Sequence, residues 1–222
     1  KGPIWKRMVL FALPLLLGNL FQQMYNTVDS LIVGNFLGST ALAAVSSSGS
    51  LIFMLIGFLS GIASGAGVII SGAFGAGDIP KLQKAVHTTV AMGLVAGLIM
   101  TGIGVVLSPK ILLWMDTPQN VMPQSVVYLQ IYFSGSLGFV MYNIFVGILQ
   151  AVGDSRHPLY YLIASSVINL VLDIVFIEVF HTGVGGAALA TVISQVISAL
   201  LCFRQLHRTR ETYRLQLRRI RF

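Results

Sequence analysis

Charged residues are scarce in this 222-residue chain. Lys, Arg, Asp and Glu make up only 9% of it, against roughly a quarter of a typical soluble domain. A soluble fold of this size could not cover its surface with so few charges, and 55% of the residues are hydrophobic. The mean hydropathy of +0.85 and the recurrence of long apolar runs indicate that most of the chain lies in a lipid bilayer.

Cysteine and catalytic motifs are also lacking. The single cysteine, Cys202, excludes a disulfide-stapled protein, and its apolar surroundings predict a packing residue. The sequence has no P-loop, no His-based metal cluster and no nucleotide-binding glycine pattern. Gly75-Ala-Gly77-Asp78 matches the Gly-x-Gly-Asp signature of intramembrane aspartyl proteases, but the Tyr-Asp pair that such an enzyme needs does not accompany it. We therefore expect neither an enzyme, nor a cofactor, nor a resident metal.

The apolar stretches form six predicted membrane spans, each able to cross a hydrocarbon core about 30 Å thick. The runs are continuous rather than alternating, which excludes a transmembrane β-barrel. We therefore predict an all-α integral membrane protein, a bundle of six transmembrane helices joined by short loops. The spans cover residues 8–36, 42–74, 85–107, 124–150, 159–180 and 185–203.

The basic residues predict the orientation of the bundle. With the amino terminus inside, thirteen of the fourteen Lys and Arg residues fall on the cytoplasmic side, and Lys110 alone falls outside. We therefore expect a multi-pass protein with both termini in the cytoplasm.

The end of the chain differs in character from the spans. Residues 204–222 hold seven of the fourteen basic residues. An apolar stripe at helical spacing runs through them, formed by Leu206, Tyr213, Leu217 and Ile220. We predict a six-helix lobe over residues 1–203. Residues 204–222 are expected to form a basic amphipathic cytoplasmic tail on the anionic membrane surface, or a linker between lobes. Nucleic acid is not an expected partner.

Two acids inside the predicted spans, Asp29 and Asp173, are candidates for a functional site. A charge at the centre of a membrane helix costs about 3 kcal/mol or more, so such acids are rare without a role. Each ends a polar stripe on one helical face and lies about seven residues before the outer end of its span, which predicts a shared depth. The stripes are Asn19, Gln22, Asn26 and Asp29, and Ser166, Asn169 and Asp173. A proton- or ion-binding role and a purely structural link between helices both fit this pattern.

Other polar residues line one side of the fourth and sixth spans. Helix packing alone explains them unless their faces meet the acids. They are Tyr128, Tyr132, Ser136 and Asn143 in the fourth span, and Thr191, Ser194 and Ser198 in the sixth. In the second span, Gly57, Gly61 and Gly65 predict close approach of a neighbouring helix. Pro14 is expected to bend the first span.

Several segments together carry a family resemblance. They are Ala12-Leu-Pro-Leu-Leu-Leu-Gly-Asn19, Gln22-Gln-Met-Tyr-Asn-Thr-Val-Asp29, Val33-Gly34, Ala41-Leu-Ala-Ala44, Gly65-Ala66-Gly67, Gly147-Ile-Leu-Gln-Ala-Val-Gly-Asp154, Asn169-Leu-Val-Leu-Asp173 and Gly185-Gly-Ala-Ala-Leu-Ala-Thr191. In this order the segments resemble the amino-terminal half of the MATE (multidrug and toxic compound extrusion) exporters, most of all the prokaryotic DinF-like branch. The match runs from the start of the chain to about Gln195.

The resemblance implies a function and a site. MATE exporters expel cationic or amphipathic drugs in exchange for H⁺ or Na⁺, through a cleft between two six-helix lobes. It implies a coupling-ion site formed by Asp29, Asp173, Asn169 and Thr191, with Tyr128 and Asn143. Candidate residues of the substrate cleft are Gln22, Asn26 and Tyr132. If the ion is Na⁺, the expected ligands are Asp173, Asn169 and Thr191.

The chain departs from the family pattern in its length. Family members carry about twelve spans in two lobes, so a second six-helix lobe is an expected partner beside drugs and membrane lipid, either in a longer chain or as a second copy. The expected location is the prokaryotic plasma (inner) membrane. Two alternatives stay open, a lipid-linked precursor flippase of the wider superfamily, whose cleft is expected to be more basic, and a membrane scaffold without transport activity.

Overall fold

A computed structural model describes residues 3–216, and seven α-helices make up most of that range. They are α1 (Ile4–Leu37), α2 (Ser39–Gly75), α3 (Ile79–Trp114), α4 (Met122–Ser134), α5 (Ser136–Ala151), α6 (Arg156–Ile174) and α7 (Gly183–Arg208). Five spans are long and apolar enough to cross a membrane singly, and one of these consists of α6 and the helical turn that follows it. α4 and α5 together form one further, bent span. The predicted bundle of six membrane-spanning helices is therefore confirmed.

The fourth span bends by 52° between α4 and α5. Gly135 lies at the bend, where α7 passes close to the backbone. A Cβ atom on Gly135 would lie 2.4 Å from Cγ1 of Val192, so any larger residue would force α7 away. The bend therefore brings both halves of the span against the same neighbour.

α3 is longer than predicted. The sequence predicts that the third span ends at residue 107, because Ser108-Pro109 follows, but the helix continues to Trp114. Proline removes the backbone hydrogen bond to the carbonyl four residues earlier, which here belongs to Val105. The side chain of Gln130 on α4 donates to that oxygen across 3.4 Å. A partner on another helix thus compensates for the proline, which a local pattern does not reveal.

α6 ends in a wide turn. Val175–Val179 form a π-helical turn, closed by the N–H of Phe180 donating to the carbonyl of Val175, five residues back, at 3.0 Å. Glu178 within this turn is exposed, unlike Asp173, which is buried one turn earlier. At the opposite end, Asp154 caps α6 through the N–H of His157.

The lobe has two opposite ends, the Gly38 end and the Gly77 end, each identified by a glycine in one of its loops. At the Gly38 end α1 joins α2, α3 joins α4 and α6 joins α7; at the Gly77 end α2 joins α3 and α7 terminates. The largest buried core joins α2, α3, α5 and α7 and includes Leu59, Ile144 and Leu149. A smaller buried cluster lies toward the Gly38 end and includes Val33 and Val184.

The tail differs from the predicted amphipathic helix. α7 ends at Arg208, and residues 209–216 are not helical. They fold back as a strap at the Gly77 end, where Tyr213 and Leu215 are buried in the main core. Because these apolar side chains pack on protein, the described part of the tail does not present them to a membrane surface. Leu217 and Ile220 lie outside the described residues, and the division into 1–203 and 204–222 stays a prediction.

His87 on α3 is hydrogen-bonded through both ring nitrogens, one to its own helix and the other to the strap. Its Nδ1 lies 2.6 Å from the carbonyl oxygen of Gln83, and its Nε2 accepts the backbone N–H of Gln216 at 3.0 Å. Gln83 also donates its side-chain amide to the carbonyl of Thr212. The ring is 3% exposed, so its own two hydrogen bonds are largely shielded from water.

We expect His87→Leu to loosen the strap without unfolding the helices. The substitution leaves a buried backbone N–H unpaired, which costs about 1–3 kcal/mol locally. Hydrogen–deuterium exchange should then be faster in residues 209–216 and unchanged in α5. His181→Leu, at an exposed position, is the control. Equal exchange of the strap in both variants would contradict this assignment.

Candidate functional site

The two membrane acids meet in the structure. Asp29 on α1 and Asp173 on α6 lie within hydrogen-bonding reach of each other. The side chain of Asp173 is fully buried, and Asp29 is half-buried. The shared depth predicted from the sequence therefore corresponds to direct contact.

Asn169 lies one turn before Asp173 and is also fully buried. The orientation of its amide is set by its neighbours. In the orientation that satisfies both ends, the amide nitrogen donates to Oδ2 of Asp173 at 2.9 Å, and the amide oxygen accepts the backbone N–H of Thr191 at 3.1 Å. The opposite orientation offers the nitrogen a longer contact, 3.5 Å to Oγ1 of Thr191. Asn169 thus links the α6 carboxyl to α7.

Tyr25 also belongs to this network, although the sequence patterns did not identify it as a site residue. Its hydroxyl lies near the Thr191 side chain and 3.3 Å from the amide nitrogen of Asn169. It also interacts electrostatically with Asp29 and Asp173. The available signal was its position one turn before Asp29, which places it on the same face of α1.

α4 closes the network with two tyrosines. Tyr128 is buried and interacts electrostatically with both acids and with Tyr25. Tyr132 stacks on Tyr128, with ring centroids 6.4 Å apart and an interplanar angle of 20°. Only 9% of Tyr132 is exposed, so this residue, predicted to line the substrate cleft, instead packs behind the polar network.

The remaining candidates have no described hydrogen bond to either acid. The amide of Asn143 donates to the carbonyl of Phe139 on its own helix at 2.9 Å, and no described polar contact joins it to Asp29 or Asp173. Gln22 and Asn26 form a 3.2 Å hydrogen bond along α1. Gln22 lines a groove of about 350 Å³ between α1, α5 and α6, with Asn19, Tyr142, Gln150 and Ser155 among its polar residues.

Unpaired oxygens remain at the centre. Oδ1 of Asp29 and Oδ1 of Asp173 are buried and have no hydrogen-bond partner among residues 3–216. Two carboxyl groups can share a hydrogen bond only if one of them carries a proton. Uptake of a proton also removes the cost of holding two like charges in a poorly solvated place. The arrangement is therefore chemically suited to binding a proton or a small cation.

Six membrane spans around a pair of carboxyl groups define the class of protein, a multi-pass helical membrane protein with a polar site inside its bundle. The family model MatE matches residues 14–175, and the chain belongs to this family. Family members are transporters, so the chain is not an enzyme.

Individual relatives support the assignment. The chain is 38% identical over 205 residues to the probable multidrug resistance protein YoeA of Bacillus subtilis (strain 168), which covers 90% of this chain and 44% of that protein. The crystal structure of MATE in the bent conformation is 26% identical, with a TM-score of 0.91 over 100% of this chain and 49% of its own.

A third relative differs in its described properties. A MOP superfamily transporter from Pyrococcus furiosus is 27% identical, with a TM-score of 0.90 over 100% of this chain and 49% of its own. The binding pocket of that transporter is described as having reverse polarity, which suggests a different function. The chain spans about half the length of the relatives that it matches.

We expect Asn169→Ala to lower the thermal unfolding midpoint in detergent more than Asn143→Ala does. Loss of the Asn169 amide leaves the buried Asp173 carboxyl without its donor, at a cost of about 1–3 kcal/mol. Asn143 bonds only a carbonyl of its own helix, so its loss should cost about 1 kcal/mol or less. Equal shifts in the two variants would contradict the linking role of Asn169.

Proposed function

We propose that this chain is the amino-terminal lobe of a cation-coupled antiporter that exports cationic or amphipathic drugs. The observation that carries the proposal is the close approach of the Asp29 and Asp173 carboxyl groups, which are surrounded by polar residues of α1, α4, α6 and α7. A structural link between helices would be served as well by amides or hydroxyls, without the cost of placing two acids in a membrane.

The proton is the coupling ion that the local chemistry favours. In the orientation that satisfies both ends of its amide, Asn169 presents its nitrogen to Asp173, and this contact suits a carboxyl group rather than a metal ion. The hydroxyl of Thr191 already donates to the carbonyl of Ala187 at 3.1 Å. Na⁺ coupling is the second candidate, because Asp173, Asn169 and Thr191 together offer carboxylate, amide and hydroxyl oxygens that a hard cation accepts.

Protonation supplies a mechanism for exchange. A cationic drug is attracted by the negative charge of the unprotonated pair and by the polar face of α1, which carries Gln22 and Asn26. A proton that enters the pair from outside removes this charge and weakens drug binding. α1 runs without interruption through Pro14, where one backbone hydrogen bond is missing, and we expect α1 to repack there when the charge changes.

The second lobe is the proposed partner. Solved relatives are about twice as long as this chain. The prediction that Gly57, Gly61 and Gly65 pack on a neighbouring helix is wrong within the described lobe, because a Cβ atom at each would meet open space. Such a smooth helical face suits close packing against another helix. We propose that this helix belongs to the second lobe, in a longer chain or in a second copy.

Two other functions predict different observations. A lipid-linked precursor flippase of the wider superfamily is the first of them, and the chain does resemble a MOP superfamily transporter for which a different function is suggested. A cleft for an anionic lipid precursor needs basic residues, and the Lys and Arg residues within the seven described helices lie near the helix ends rather than at their centres. A scaffold without transport activity would bind neither drug nor proton.

We further propose that the Gly77 end faces the cytoplasm of a prokaryotic cell, in its inner membrane. Single cysteines at the exposed positions Ser39, Gln119 and Thr182 should react with an impermeant thiol reagent added outside intact cells. Cysteines at the exposed positions Ile79 and Arg156 should react only after the cells are opened. The reverse pattern would overturn the orientation.

We expect Asp173→Asn and Asp29→Asn to abolish drug export driven by a pH gradient, while the protein still folds. Asparagine has nearly the same shape as aspartate but cannot take up the proton. The measurement is drug efflux from energised vesicles that contain the full-length protein at matched amounts. Glu178→Gln, at an exposed acid away from the network, is the control and should retain export.

The outcomes separate the candidates. Export at the normal rate by both Asp variants would mean that the pair is structural. Export that follows a sodium gradient and ignores pH would keep the site and change its ion to Na⁺.

A further inference from the structure

An apolar layer covers the carboxyl pair on the side of the Gly38 end. Val33 lies one turn after Asp29 on α1, and Ile177 lies one turn after Asp173. On α7, Ala187 lies one turn before Thr191. α1, α6 and α7 thus each place an apolar residue directly above the polar group that they contribute to the site.

The residues of this layer form one buried cluster. Val33, Ile177 and Ala187 are 0%, 3% and 2% exposed, and Val184 completes the layer at 6%. Tyr128, which faces the acids, belongs to the same cluster. We name Val33, Ile177, Val184 and Ala187 the apolar gate.

A vestibule lies beyond the apolar gate. It has a volume of about 360 Å³, and its lining includes Leu37, Gln124, Thr182 and Val184. Leu37 lies one turn beyond Val33, and Gln124 one turn before Tyr128. Vestibule, gate and carboxyl pair are therefore stacked in successive helical turns, with Val184 shared between the vestibule and the gate.

The backbone at the gate is also unusual. Ile177 belongs to the π-helical turn Val175–Val179 that ends α6. Such wide turns pack their backbone less favourably than an α-helix and occur often at functional sites. The segment that carries Ile177 can therefore rearrange at a lower cost than the helical segments around it.

We propose that the apolar gate is the barrier between the vestibule and the carboxyl pair, and that the coupling ion reaches the pair from this end only when the gate parts. A dry apolar layer stops hydrated protons and small cations because water does not fill it. The proposal rests on the proposed function, since it assigns the path of the same ion. It adds four residues that contact neither drug nor ion in the closed arrangement.

The test measures access to the site rather than transport. In the full-length protein with Cys202→Ala, Thr191→Cys places a thiol beside the carboxyl pair. A small cationic methanethiosulfonate reagent is then added to sealed vesicles on the vestibule side. Val33→Ala and Ile177→Ala remove apolar groups from the gate and should each speed the reaction by about tenfold or more.

Val171→Ala is the matched control. Val171 is on α6 too, but it is 55% exposed and does not belong to the cluster. Its variant should react at the rate of the Thr191→Cys protein. Two gate variants on different helices keep the test valid if one of them fails to fold.

The proposal would be overturned if the gate variants react no faster than the control, or if no variant reacts at all. Acceleration seen only from the Gly77 end would overturn it too. These results are independent of the proposed function, which fails instead if Asp173→Asn keeps normal export. A gate that fails while Asp173→Asn abolishes export rejects the gate alone.

Discussion

The contact between Asp29 and Asp173 is the constraint on which the rest of the lobe depends. Two acids from different helices can stay together in a membrane only if a proton, a cation or surrounding donors offset their repulsion and desolvation. Asn169, Thr191 and Tyr25 supply donors and a connection to α7. The network therefore joins α1, α6 and α7 through polar groups that depend on one another.

The apolar parts of the fold serve this polar centre. The bend at Gly135 lets α4 turn Tyr128 toward the acids while α5 stays packed in the main core. The bent helix can lie this close to α7 because Gly135 has no side chain to meet Val192. Packing of small and large residues thus determines how near the polar groups come, and these distances determine whether a proton can be shared.

Sequence periodicity was sufficient for the parts of the structure that depend on local spacing. The six spans, and the stripes that bring Asp29 and Asp173 together, follow from runs and offsets along single helices. Features that depend on a partner from another helix were not predictable in this way. Gln130 compensates for Pro109, His87 captures the strap, and Tyr25 becomes part of the site through Thr191 on α7. Asn143 was predicted to belong to the site and lies on the expected helical face, but its amide bonds to a carbonyl of its own helix instead.

The two cavities suggest how one carboxyl pair can serve both sides of a membrane. The groove toward the Gly77 end reaches Gln22, which lies seven residues, or about 10 Å, below Asp29 on α1. The vestibule stops one apolar layer above the pair. In this conformation neither cavity includes the acids among its lining residues. Since α1 lines both cavities and carries Asp29 between them, a movement of α1 changes access from the two sides together, which exchange of two solutes at one site requires.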